Sequence, residues 1–443
     1  MPAPRPATRS PQDGASAGLI RVLVNLGHLL GGKAGAGVMS LVYLVIVTHR
    51  LGPHDYGVLV LVSAYATLIG VLIAFSGFHG VVRYGAIARE RGDRAELARI
   101  IRFMAVIELG CGMIAIVLAA LAVPLVGPRL GWSPAAQAFA VPFSLGVIGT
   151  VRATPQGLLQ IAGRFDLIGL HQMVNPLVRL IGSLLALFFG GGLIAFLLVW
   201  LASLLIEGIA LWVMALPSWH RLTGERLLGP WRHSQPGFGR FILAANTDIT
   251  LRELAPNLAP LTVGWLLGPA AAGMLALAQR ATNVLAQPAV LLGQASYSVL
   301  ADLFARGDVA ALRRTVWRGA GLALSIAVMI TVALAIFGRP FLALIGGSGF
   351  AVGAALLLPV AAARGLSLAS APLVSGLAAI GRPGWLVAIT TVTSLLLYPI
   401  LPLLLIQIGL LGAGWHILLQ ASVAAILLGW LFERELRRQR SRA

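Results

Sequence analysis

Residues 241–269 read FILAANTDITLRELAPNLAPLTVGWLLGP, long enough to cross a bilayer, yet Asp248, Arg252 and Glu253 stand near the middle. Charge at bilayer depth costs a few kcal/mol per residue unless it pairs or faces water, so such a cluster marks a functional site. Pro256 and Pro260 each remove a backbone donor and bend a helix. Lipid-exposed backbone does not tolerate such losses. The stretch is therefore expected to be a broken helix lining a polar cavity.

The rest of the chain supports a membrane setting. With 443 residues, 58% hydrophobic and 11% charged, and a mean hydropathy of +0.90, it cannot be a water-soluble globule; such a globule is about one-quarter charged. A lone cysteine, Cys111, excludes an intramolecular disulfide framework and a CxxC centre. The eight histidines form no metal-binding spacing. No metal or cofactor is expected. The net charge of +18 lies in short segments between apolar runs. Topology explains it better than nucleic acid does.

At about 20 apolar residues per crossing, about twelve spans are expected, near 24–48, 57–80, 103–126, 135–160, 168–189, 193–216, 241–267, 271–298, 317–345, 352–378, 384–406 and 410–432. With an even number of spans, one side of the membrane holds 24 Lys and Arg, the other holds Arg50, Arg129 and Arg339, and six lie inside spans, which recovers all 33. The positive-inside rule then puts both termini in the cytosol.

The two halves repeat. Leu51, Gly52, Pro53 and Gly57 recur as Leu267, Gly268, Pro269 and Gly273; Arg91, Gly92, Asp93 and Leu97 as Arg306, Gly307, Asp308 and Leu312; Gly163 and Arg164 as Gly381 and Arg382. The three offsets are 216, 215 and 218. A repeat of six spans returns to the same side, so the copies share an orientation and are related by an axis along the membrane normal. The expected organisation is a disordered tail at 1–17, an N-lobe at 18–216, a cytosolic linker at 217–240, a C-lobe at 241–432 and a basic tail at 433–443.

Inside the spans stand Lys33, Arg152, Arg179, Arg252, Arg280 and Arg364 against Glu108, Glu207, Asp248 and Glu253. At about 1.5 Å per residue from each turn, Arg252, Arg280, Arg152 and Arg364 fall near mid-depth. Lys33 lies nearer the cytosolic end. Gln279, Asn283 and Gln287 continue a polar face after Arg280. Each feature also has a structural reading. Arg179 and Glu207, at similar depth on consecutive spans, are expected to form an ion pair; Asp248 and Arg252, at i and i+4, either neutralise each other or open during transport; Glu108 is expected to snorkel toward Arg102. Arginine is permanently charged and its planar fork matches phosphate oxygens. The agreement in depth thus points to a phosphate- or pyrophosphate-bearing substrate.

The segment RLGPHDYGVLVLVSAYATLIGVL from Arg50, followed by GFHGVVRY and ARERGDRAELARIIR, resembles the opening of bacterial polysaccharide transporters, the O-antigen-type flippases of the multidrug/oligosaccharidyl-lipid/polysaccharide exporter superfamily. GRFD at Gly163 and the second-half LGP and RGD turns are similar to that family too. The resemblance implies an all-α protein with two six-helix lobes around a central cavity, and movement of an undecaprenyl-pyrophosphate-linked oligosaccharide to the outer leaflet. It implies no covalent chemistry, and membrane lipids and envelope polysaccharide assembly proteins as partners. On the depth argument, Lys33, Arg252, Arg280, Arg152 and Arg364 are the expected pyrophosphate-binding residues. Asp248, Glu253, Asn283 and Gln287 are the expected polar cavity or coupling residues. A drug/cation antiporter of the same superfamily fits the cationic spans less well. A polytopic glycosyltransferase or polysaccharide polymerase would need catalytic acids or a large external loop, whereas the external segments carry only Asp55.

Overall fold

Gly52 has φ 68° and ψ −179° inside an otherwise helical run, Pro11–Ile73 (α1). Only glycine adopts that conformation cheaply, and it splits α1 into two arms. Tyr43 on the first arm and Tyr56 on the second both act on Arg280, although a straight helix would hold them about 20 Å apart. The chain therefore folds back at Gly52. The computed structural model in which this is seen describes residues 11–73, 75–232, 237–283, 297, 299–381 and 383–440.

After α1 a helical segment from Phe78 to Glu90 contains a π-turn at Val81–Gly85. Then follow α2 (Arg94–Val126), α3 (Pro134–Phe143), α4 (Ala153–Ile161), α5 (Phe165–Phe188), α6 (Leu193–Thr223), α7 (Phe238–Leu267) and α8 (Pro269–Asn283). Next come α9 (Val309–Gly346), α10 (Leu357–Ala379), α11 (Pro383–Leu396), α12 (Ile400–Ile408) and α13 (Leu411–Arg440). No strand occurs among the described residues. Eight helices among them are long and apolar enough to cross a membrane, or nine with the bent pair α11 and α12 taken as one span. The first of the eight, Gly31–Ile73, holds both arms of α1, which the sequence reading counts as two crossings.

The repeat is written in the backbone. Glycines with positive φ stand at 52, 92, 131, 163 and 190, and again at 268, 307, 347, 381 and 409. The matched RGD turns also cap alike: Asp93 accepts from the Glu96 amide at 2.8 Å and Asp308 from the Ala311 amide at 2.9 Å. An N-cap carboxylate of this kind satisfies a donor the helix cannot.

The apolar core has the shape of a V. One cluster gathers residues near the Gly52 and Gly268 turns from both halves, including Tyr43, Tyr56, Trp200, Leu275 and Phe350. Toward the RGD turns it divides. Val81, Leu97, Ile101, Leu159 and Trp219 belong to one cluster, and Leu312, Val316, Leu377 and Phe432 to another. Toward the RGD turns each half keeps a cluster of its own, with the start of α7, Phe238 and Ile242, packed into that of the first half.

Several expectations are corrected. The stretch 241–269 is not a broken helix: α7 runs unbroken through Pro256 and Pro260 to Leu267. Each proline deletes only the bond to the carbonyl four residues back. The neighbouring turn is reinforced where the Asn257 side chain donates to the Glu253 carbonyl at 2.8 Å. A break falls instead in the fourth expected span, where a 3-10 segment, Ser144–Thr150, and non-helical backbone at Val151 and Arg152 separate α3 from α4. α1 already includes residues 11–17, assigned to the disordered tail, and residues 1–10 lie outside the described residues. α6 continues to Thr223, past the expected linker start at 217, and α13 carries the basic tail to Arg440.

Candidate functional site

Where the two halves share a core, two guanidinia gather around one tyrosine. Tyr43 of α1 has the Arg179 guanidinium of α5 at 5.9 Å from its ring centre and lies close enough to Arg280 of α8 to interact with its charge. Depth explains the meeting: Tyr43 stands nine residues before Gly52, Arg179 nine before Phe188 and Arg280 twelve after Gly268. At about 1.5 Å per residue these positions share one level. The Arg179 guanidinium also donates to Ser203 Oγ at 3.0 Å and lies 4.4 Å from the Trp200 ring centre, a cation–π contact.

Neither arginine is ion-paired with a carboxylate among the described residues. Arg280 Nη1 is buried without a hydrogen-bond partner, and so is the hydroxyl of Tyr56, which is 0% exposed and close enough to feel both guanidinia. Buried polar atoms are almost always paired, so two orphans in one cluster mark a place held ready for a group not part of the fold. Charge of one sign is also concentrated there, because Arg179 and Arg280 repel each other.

The other expected site residues are dispersed. Lys33 is exposed on the first arm of α1, while its neighbour Gly32 packs against the Gly169 backbone. Arg152, at the start of α4, forms a short ion pair with Glu207, which also accepts from Asn175 Nδ2 at 2.8 Å. Glu207 is thus taken by Arg152, and the expected Arg179–Glu207 pair does not form. Arg364 is half-buried on α10, and its Nε is a further buried atom without a partner. Glu253 and Asn283 are exposed. Asp248 and Arg252 lie on α7, with side chains outside the described residues, and Gln287 lies outside them altogether.

Glu108 does not snorkel. It is 1% exposed and accepts the amides of Ala153 at 2.7 Å and Thr154 at 2.8 Å, and it lies against Gly77, where a Cβ would come within 3.3 Å of its Oε2. One carboxylate therefore caps α4 and holds the break after α1. Sequence reasoning missed Tyr43 and Tyr56 because neutral hydroxyls do not stand out in an apolar span. The distance of Tyr43 from Gly52 would have placed it near the level of Arg280, whereas that of Tyr56, four residues from the turn, would not.

Comparison with known proteins adds three findings. A family model described as polysaccharide biosynthesis protein matches residues 22–304. Inner membrane protein YghQ of Escherichia coli (strain K12) is 27% identical over 340 residues, covering 76% of this chain and 94% of that protein. The fold is that of solved transporters: the inward-facing conformation of a multidrug resistance MATE family transporter of the MOP superfamily aligns with TM-score 0.68 and 14% identity over 96% of this chain and 99% of that one. Lipid II flippase MurJ, in an inward closed conformation, aligns with TM-score 0.69 and 12% identity over 92% and 88%.

Proposed function

The chain belongs to the polysaccharide biosynthesis protein family, and from that premise we propose that it is a flippase carrying a polyprenyl-pyrophosphate-linked oligosaccharide from the inner to the outer leaflet of a bacterial plasma membrane by alternating access. The observation that carries this reading is the pair Arg179 and Arg280, gathered around Tyr43 with no carboxylate ion-paired to either among the described residues. A pyrophosphate supplies the missing negative charge. A cationic drug would be repelled.

The surplus of arginine at the RGD turns supports a cytosolic position for that end and for both termini. The divided end of the core then faces the cytosol, and a substrate headgroup enters between the lobes from there. Lys33, Arg252, Arg152 and Arg364 are proposed to meet the pyrophosphate along the way, Arg364 through an Nε that has no partner within the fold. Arg280 Nη1 and the Tyr56 hydroxyl are the donors that a phosphate oxygen would satisfy. The prenyl tail stays in lipid throughout, so only the polar group passes through the protein. Asp248 and Glu253 are proposed to couple the cycle to an ion, and Asn283 and Gln287 to extend the polar face beyond Arg280. No bond is made or broken in the substrate.

The test is export in cells lacking the native gene and expressing variants at matched membrane levels. Arg280→Ala and Arg179→Ala are each expected to abolish surface polysaccharide and to leave the lipid-linked oligosaccharide at the inner face. Lysine at either site keeps the charge and loses the fork, so it recovers part of the activity. Wild-type export from both alanine variants overturns the reading.

A further inference from the structure

A second site lies on the lipid side of the first half, away from the arginine pair. A cavity of about 410 Å³ opens between α2, α4 and α6 and is covered by the segment after α6. Ala105, Leu109, Pro155, Trp212 and Trp219 line it, and apart from its tryptophans Arg102 and Thr154 are its only polar side chains. Its volume is that of a small-molecule pocket. Val106 and Leu109, also in its lining, are 49% and 41% exposed on a helix long and apolar enough to cross a membrane. The cavity therefore opens toward hydrocarbon.

Arg102 makes most of the polar contacts that hold the cover, alongside the Trp219 indole, which donates to the Glu225 carbonyl at 2.9 Å, and Phe103, which stacks on Trp231. The Arg102 guanidinium donates to the carbonyls of Leu227 at 3.1 Å, Pro230 at 3.2 Å and Arg226, reaches the Glu225 carboxylate at 3.5 Å and lies 5.4 Å from the Trp219 ring centre. Gly229 lies flat against it, since a Cβ there would come within 2.9 Å of Arg102 Cζ. Residues 226–232 read RLLGPWR, an apolar run with an exposed arginine at each end. Leu228 is 90% exposed and Trp231 43%. Apolar side chains flanked by arginine and tryptophan suit the boundary between headgroups and acyl chains.

We infer that this pocket holds one acyl chain of an anionic phospholipid, with Arg226 and Arg232 meeting its phosphate-bearing headgroup. The apolar wall accepts the chain, and the exposed positive charge of Arg226 and Arg232 at the rim selects the headgroup. This site is independent of the transported substrate: it faces lipid rather than the space between the lobes.

Tryptophan fluorescence tests it, because bromine on an acyl chain quenches an indole it touches. The full chain is reconstituted in phosphatidylcholine vesicles in which either phosphatidylcholine or phosphatidylglycerol carries brominated chains at equal content. Brominated phosphatidylglycerol is expected to quench at about fivefold lower content, the scale of one arginine near an anionic surface. Arg226→Gln with Arg232→Gln should abolish that preference. Ala105→Phe, which fills the pocket and leaves every tryptophan in place, should remove the preferential quenching while export continues. Equal quenching by the two brominated lipids overturns the headgroup assignment. Preferential quenching unchanged in Ala105→Phe overturns the pocket assignment.

Discussion

Gly57 and Gly273 lie against each other's turn: a Cβ on Gly57 would stand 1.8 Å from the Pro269 carbonyl oxygen, and one on Gly273 2.5 Å from that of Pro53. The contact is reciprocal, as an axis relating the two halves requires. It lies at the end where the core is shared, and Thr48 ties the same region to the second half by donating to the Ile345 carbonyl at 2.8 Å. Under alternating access this end must part to release a substrate, so the two glycines form its latch.

Gly57→Ala and Gly273→Ala should each force the turns apart, because the obstructing atoms belong to backbone and cannot rotate away. A latch weakened by about 1.4 kcal/mol shifts a two-state equilibrium roughly tenfold. Export is expected to fall while the protein inserts normally, and a thiol at position 54 should react faster with an impermeant maleimide. Unchanged reactivity in both variants would show that the contact does not hold the end shut.

The reversal at Gly52 and Gly268 is legible in the sequence because a helix can turn this way cheaply only at glycine, and the proline that follows repeats with it. Gly131 with Gly347, and Gly190 with Gly409, carry the same backbone signal. They escape notice because each is one glycine in a chain with 52 of them. Arg280 is legible from depth alone. Its partnership with Arg179 is not, since choosing between Glu207 and Tyr43 depends on which faces of α5 and α6 meet. The expected break in α7 fails for a related reason: proline removes one bond, whereas the true break before α4 is stabilised by Glu108, distant in sequence.

Arg152 and Glu207 offer a test of structure against substrate contact. Glu207 has 13% of its side chain exposed and depends on Arg152 and Asn175. Arg152→Ala leaves the carboxylate poorly paired and should cost about 1–3 kcal/mol. Adding Glu207→Gln removes the stranded charge and should restore most of the thermal stability in detergent. Export that recovers with stability assigns the pair to the fold. A stable double variant that fails to export returns Arg152 to the substrate path.

Covalent trapping examines the same latch from the other side. His54 and Ala270 follow the matched Gly-Pro turns, and Cys111 is the only native thiol. On a Cys111→Ala background, His54→Cys with Ala270→Cys should be joined within one chain by a short cleavable crosslinker. Export should stop and return on cleavage. A fully crosslinked protein that still exports would rule out opening at this end.

Glu108 makes the last prediction, and it separates a cap from a charge. Its carboxylate receives the amides of Ala153 and Thr154 in a place that is 1% exposed. Those donors start helices and have no partner within them. Glu108→Ala strands them, and each buried unsatisfied donor costs about 1–3 kcal/mol. Glu108→Gln keeps one acceptor oxygen but turns an amide toward the remaining donor, so it should lose part of that stability. Thermal unfolding in detergent should rank the wild type first, Glu108→Gln second and Glu108→Ala last. A glutamine variant as stable as the wild type would mean that one of the two bonds is enough to hold the break. An alanine variant as stable as the wild type would mean that water replaces the carboxylate and that the break needs no cap.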